Sequence, residues 1–138
     1  MTRSAEPPPP PEVCFDRSLG HETAAIMRAA AWTVHLITEA YPDAELVSDE
    51  VWIAHAAARG WVLLSRDARI RYRGPALAAR HRSQIYYLGD HTTLAAGAIR
   101  DVAAGFLAAG PVICRNARRA GAGCWIVHPA GVVRRRWP

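Results

Sequence analysis

Short apolar runs alternate with stretches of helical spacing along this chain. Val13-Cys14-Phe15 is unbroken and apolar and stops at Asp16, the pattern of a short strand covered on both faces. Leu19 to Ala30 places Ile26, Met27 and Ala30 on one face and predicts a helix. Trp32, Val34 and Leu36 alternate with Thr33 and His35, predicting a strand from Trp32 to Thr38 that Tyr41-Pro42-Asp43 breaks. Ser48 stands where it can N-cap a helix over Asp49 to Arg59; Trp52, Ile53 and Ala56 form its sheet-facing stripe, and Gly60 stops it. Trp61 to Ser65 reads as the central strand, followed by a basic turn and a short helix from Pro75 to Arg82. Gln84 to Leu88 is a fourth strand. Thr92 or Thr93 would cap a long helix to about Ala109, Gly110-Pro111 interrupts it, and a second helical piece reaches about Arg119. Cys124 to His128 and Val132 to Arg136 form a closing hairpin around Pro129-Ala130-Gly131. This order implies an α/β fold in three layers: a mainly parallel central sheet, helices on both faces, and a C-terminal antiparallel hairpin.

Residues 1–11 contain five consecutive prolines, which predicts a disordered, solvated tail ahead of a single domain over residues 12–138. That length suffices for a three-layer core, and an apolar fraction of 51% suits a globular chain. No stretch approaches the ~20 apolar residues of a membrane span, so no membrane association is expected. The first residues carry no apolar signal segment, and the cytoplasm is the expected compartment. Cys14, Cys114 and Cys124 are scattered and odd in number, which reads as idle thiols in a reducing environment.

Charge sharpens the picture. The net charge of +5 favours an anionic partner such as nucleic acid. All 17 basic residues are arginine. A P-loop lysine, a Schiff-base lysine and the lysine of a phospho-receiver domain are therefore excluded. Every cation can grip phosphate bidentately, and none can serve as a tunable base. The six histidines show no zinc spacing with one another or with cysteine.

Three stations deliver carboxylates at or just past apolar runs: Asp16 after Phe15, Asp49 and Glu50 after Leu46-Val47-Ser48, and Asp67 after Ser65-Arg66. In a parallel sheet the C-terminal strand ends and the neighbouring helix starts share one edge, where ligand sites lie. Taken singly, Asp16 and Asp67 also suit turns or caps, and Asp49 and Glu50 suit a helix's first turn. Together they would repel, by ~4 kcal/mol for two charges ~4 Å apart at an effective dielectric of ~20. A hard divalent cation removes that cost, and the set points to a metal-dependent enzyme. Asp90 could add a fourth acid, although a loop position suits it better. Around Asp67 stand Arg66, Arg69, Arg71 and Arg73 with Tyr72 among them, a strip suited to a phosphodiester backbone and a stacked base.

The frames Phe15-Asp16-Arg17-Ser18-Leu19-Gly20, Ser48-Asp49-Glu50-Val51-Trp52-Ile53-Ala54, Ala57-Ala58-Arg59-Gly60-Trp61-Val62-Leu63-Leu64-Ser65-Arg66-Asp67 and Arg69-Ile70-Arg71-Tyr72 resemble compact PIN-like domains of the VapC toxin type. The resemblance covers roughly Val13 to Leu88. It implies a PIN-like fold and an Mg2+- or Mn2+-dependent endoribonuclease. Such a protein is the toxin of a VapBC-type toxin–antitoxin pair, hydrolyses RNA phosphodiester bonds, and is silenced by a cognate small antitoxin. Asp16, Asp49 and Asp67 fall on the family's acidic, metal-binding positions, with Glu50 the adjacent alternative for the middle one. Arg66, Arg69 and Arg71 would hold the substrate. Larger PIN domains supply a fourth acid shortly after the third, where this chain has Ala68, Arg69 and Arg71. One metal, or a weakly held second one, follows from that departure. The rival reading is a catalytically degenerate PIN-like protein that binds nucleic acid or antitoxin. Oligomeric state stays open, a homodimer included.

Overall fold

Burial of every residue in β1 (Val13–Phe15) fixes that strand inside a sheet, since an edge strand would leave one side in water. In the computed structural model, which describes residues 10–16, 18–41, 43, 47–67, 70–88, 99–119, 121–128 and 131–137, β1 is flanked in parallel by β2 (Val34–Leu36) and β3 (Val62–Ser65). β4 (Gln84–Leu88) and β5 (Gly123–Val127) extend the parallel sheet, and β6 (Val133–Trp137) closes it antiparallel to β5. The strand order is β2-β1-β3-β4-β5-β6. The helices are α1 (His21–Ala29), α2 (Ile37–Ala40), α3 (Asp49–Ala58), α4 (Ile70–His81), α5 (Ile99–Ala108) and α6 (Gly110–Arg119). The proline tail through Pro9, Arg17, Arg69, Asp90, the Thr92–Thr93 cap and the Pro129-Ala130 turn lie outside the described residues.

The period-two alternation of strand side chains divides the core. Val13, Phe15, Val62, Leu64, Tyr86 and Leu88 point to one face, where Met27 of α1, Phe106 of α5 and Ile113 of α6 cover them. Cys14, Leu63, Ile85 and Tyr87 point to the other, under Trp52 and Ile53 of α3 and Ile70 and Leu77 of α4. Helices therefore pack both faces, the three-layer arrangement that the alternating pattern implied. No helix among the described residues is long and apolar enough to cross a membrane. The buried thiols of Cys14 and Cys124 are pushed up to about 12 by desolvation, with Asp16 adding to the effect at Cys14 and Arg136 opposing it at Cys124. Both are free and hold no reactive thiolate at neutral pH.

Two elements differ from their sequence reading. The second strand stops at Leu36 instead of Thr38, because Glu39 reaches back to accept the Leu36 N–H at 3.0 Å and closes a short helix over Ile37–Ala40. α4 begins at Ile70, five residues before Pro75, and carries the proline inside it. Proline favours a helix's first position, but the start here is drawn back by Ile70, which is buried and whose N–H is accepted by Asp67 O at 3.1 Å. Gly74 lets α4 lie close on β5: a Cβ there would stand 2.9 Å from Cys124 Sγ.

Of the three described glycines with left-handed backbone, Gly60 and Gly131 have contrasting neighbourhoods. Gly60 (φ +72°) faces open space, whereas a Cβ on Gly131 (φ +80°) would meet the Ala108 carbonyl carbon at 2.5 Å. Gly60→Ala is expected to cost only the left-handed penalty of ~1–2 kcal/mol. Gly131→Ala should cost a further ~1–3 kcal/mol of overpacking. Denaturant midpoints check the order; equal losses would show that the α5–hairpin contact yields freely.

Candidate functional site

The chain leaves β1 through α1 to β2 on one side and returns to β3 on the other, so the strand order reverses between β1 and β3. A crevice opens at the C-terminal ends of such a strand pair. The register Phe15↔Leu64 places the next two residues, Asp16 and Ser65, side by side there. The Asp16 N–H, donating to Leu64 O at 3.4 Å, extends the ladder by one bond.

Asp16 is 5% exposed, and its carboxylate sits in a cradle of donors. Oδ1 accepts from the Ser18 N–H at 2.8 Å and from the Ser18 hydroxyl, and Oδ2 accepts from the Ser65 hydroxyl. Ser65 Oγ in turn accepts the Asp67 N–H at 2.9 Å, tying the two acidic stations together through one oxygen. Ser18 Oγ accepts the Arg66 N–H at 3.0 Å, and Arg66 Nε donates to Ser18 O at 2.7 Å. The turns after β1 and β3 are thereby interlocked. Desolvation pushes the Asp16 carboxyl above the usual range; the serine bonds pull it back, and the nearby charge of Asp67 pushes it up again.

Asp49 arrives on a helix. Ser48 occupies the N-cap position of α3 without a side-chain capping bond, and Asp49 and Glu50 fill the first turn. Asp49 Oδ1 accepts from Trp52 Nε1 at 3.2 Å, and Oδ2 pairs with Arg73 at 2.9 Å. The Asp49 side chain is 13% exposed, against 45% for Glu50, which pairs with Arg80. Of the two, Asp49 is turned inward.

The structure therefore joins Asp16 and Asp67, while Asp49 stands in its own pair with Arg73. Among the described residues no three of His, Cys, Asp and Glu come close enough to hold one metal ion. Even so, the donor set at Asp16 and Asp67 fits a hard divalent cation. It consists of oxygens alone, and its buried carboxylate carries an excess of negative charge that the surrounding hydroxyls only partly offset. A cleft of about 200 Å³ opens beside Asp16, walled by Leu19, Gly20, His21, Leu36 and Thr38. An aromatic cavity of about 190 Å³ under Tyr41, Trp52, His55 and Trp61 contains none of the three aspartates.

Of the basic strip, Arg66 braces the Ser18 turn and Arg73 neutralises Asp49. Arg71 lies on α4 with its side chain outside the described residues, as is all of Arg69. Ser18 and Ser65 were not singled out as site residues from the sequence. Their signal is a matched spacing: Asp16-Arg17-Ser18 and Ser65-Arg66-Asp67 each place a hydroxyl two residues from an acid, on adjacent strands.

A family described as a PIN-like domain matches residues 11–88, more than half of the chain. The chain also aligns with a protein of Mycobacterium tuberculosis named "Putative ribonuclease VapC45", 33% identical over 128 residues that cover 88% of this chain and 89% of that one. No solved structure matches significantly. The chain belongs to the PIN-like domain family, of the VapC type. Both acids of the cradle, and Asp49, lie inside the matched span.

Because the folded carboxyl of Asp16 is raised, folding favours its protonated form. Its contribution to stability is greatest below the unfolded value of ~3.9 and is lost as pH rises through the folded value. Asp16→Asn is accordingly expected to melt above the wild type at pH 7 in chelator. The gap should close as pH falls below ~4. Thermal melts from pH 3 to 8 check this; a variant less stable than wild type at pH 7 would contradict the burial argument.

Proposed function

We propose that this protein is a metal-dependent endoribonuclease, the toxin of a VapBC-type pair that hydrolyses RNA phosphodiester bonds. The observation that carries the reading is the Asp16–Asp67 pair at the switch point of a PIN-like sheet, held by Ser18 and Ser65. The ribonuclease name of the mycobacterial relative supports the substrate class.

Asp16 and Asp67 would hold Mg2+ or Mn2+; Asp49 would join them as a third ligand only on leaving Arg73, and Glu50 is paired with Arg80. A cation held there would supply Lewis-acid stabilisation of the phosphoryl group and lower the pKa of the attacking water. The chain's own contribution is orientation. Two hydroxyls and a backbone N–H fix both oxygens of Asp16, so no rotamer freedom is lost as substrate enters. Arg66 keeps the Asp16 and Asp67 turns in register. Arg69 and Arg71, with Arg66, would line the path of the RNA backbone, where guanidinium forks match phosphate oxygens. A small cognate antitoxin would silence the enzyme in the cytoplasm, where its RNA lies. The second reading, a PIN-like protein that binds without cutting, is favoured by one observation: Arg73 occupies the carboxylate of Asp49.

Purified protein should cut RNA with Mg2+ or Mn2+ and stop in chelator. Asp16→Asn and Asp67→Asn should each lose at least ~100-fold, the scale of ~2.7 kcal/mol in transition-state stabilisation. Asp49→Asn should cost more than Glu50→Gln. Mn2+ should raise the melting temperature of wild type and leave Asp16→Asn unmoved, because a ligand that binds only the folded state stabilises it. Cleavage that persists in chelator would overturn the metal assignment. Absent cleavage combined with intact RNA binding would establish the non-cutting reading.

A further inference from the structure

The charges of this chain are distributed unevenly. No acidic residue follows Asp101, while Arg115, Arg118, Arg119, Arg134, Arg135 and Arg136 all do. Four of the earlier arginines are committed within the fold: Arg28 to Glu39, Arg73 to Asp49, Arg80 to Glu50, and Arg66 to the Ser18 carbonyl. The six later ones are exposed, and among the described residues none has an ion pair. Exposed guanidinium groups without acidic neighbours set up a positive potential that favours an anionic partner.

The fold brings two of these residues, Arg119 and Arg135, to one cleft. α6 ends at Arg119 just ahead of β5, and β6 pairs back along β5 with Arg135 opposite Trp125. Arg119 and Arg135 thus wall a single cleft of about 150 Å³, with Asn116, Gln84 and Trp125 also lining it. Gln84 and Gly123, the first residues of β4 and β5, are register partners, so the cleft opens at the N-terminal edge of the sheet. Asp16 and Asp67 lie at the C-terminal edge. Five strand residues at ~3.3 Å each separate the two edges by about 16 Å.

We propose that α6 and β6 form a second nucleic-acid contact, which grips the phosphate backbone of a folded RNA while another part of the same molecule lies at the catalytic edge. The inference rests on the ribonuclease reading and adds the class of substrate: an RNA large and folded enough to reach both edges. Charge complementarity chooses the occupant. Guanidinium groups on a helix end and an edge strand meet phosphates without reading bases, and such contacts follow the shape of a folded backbone. A short single strand at the acidic pair would leave this surface empty.

The test compares wild type with Arg118→Gln/Arg119→Gln/Arg135→Gln, all exposed positions remote from the acidic pair. Binding is measured by anisotropy in chelator, so the RNA stays intact, against a stem-loop transcript and against a short oligouridylate. For the transcript the log–log salt slope is expected to fall by about 2, at ~0.7 or more per lost phosphate contact. Affinity at physiological salt should fall at least tenfold in step with it. Oligouridylate binding should change less than about twofold. An unchanged slope on a transcript that wild type binds and cuts overturns the second surface and leaves the ribonuclease reading intact. Equal losses on both RNAs also overturn it, since the surface would not be separate. Loss of polyglutamate binding with RNA binding retained assigns the surface to an acidic protein instead. A wild type that neither cuts nor binds RNA overturns both readings together.

Discussion

Asp16 terminates a strand that is buried on both faces, and the desolvation of its carboxylate sets the terms for the residues around it. Water cannot solvate the group, so protein donors must. Ser18 and Ser65 provide hydroxyls, and the turn after β1 folds back to add an N–H. Hydrogen bonds to a charged group contribute ~1.5–3 kcal/mol each, of the order needed against a burial penalty of several kcal/mol. The proximity of Asp67 adds a smaller repulsion of the same sign as the desolvation. The unbalanced charge that results is the property a cation would use. The same oxygens and N–H groups lock the ends of β1 and β3, so the local frame and the site chemistry are one construction.

The layers of the fold were legible because their cause is local and repetitive. Ile85–Leu88 and Val13–Phe15 are continuous apolar runs and form the strands expected, and the closing hairpin pairs antiparallel as its turn composition implied. Errors arose where a single side chain intervened. Glu39 curtails β2 by taking the Leu36 N–H, and a buried Ile70 pulls α4 past a proline that would otherwise mark its start.

The site was legible in part for a similar reason. Asp16 and Asp67 follow strands, and adjacent parallel strands must bring their ends together. Asp49 opens a helix whose neighbours are set by tertiary packing, so its pairing with Arg73, twenty-four residues on, left no trace in local spacing. The serines were visible only as a spacing shared by two segments whose adjacency the sheet creates. Arg66, read from the sequence as a substrate contact, also braces the Ser18 turn, a role no local spacing announced.

The two outer strands also limit how this molecule can meet other proteins. In β2 the Val13↔Val34 register turns the Val34 carbonyl and Leu36 N–H away from β1. Arg28 donates to the first and Glu39 accepts from the second, and the two side chains pair with each other. Two of the outward hydrogen-bonding groups of that edge are already taken. At the other end, β6 exposes Arg134, Arg135 and Arg136 in succession, and a second copy laid alongside would set like charges together. One border of the sheet is partly occupied by side chains and the other is guarded by like charge. Strand addition at β6 is therefore disfavoured for a second copy or a basic peptide and favoured for a segment that presents acidic residues.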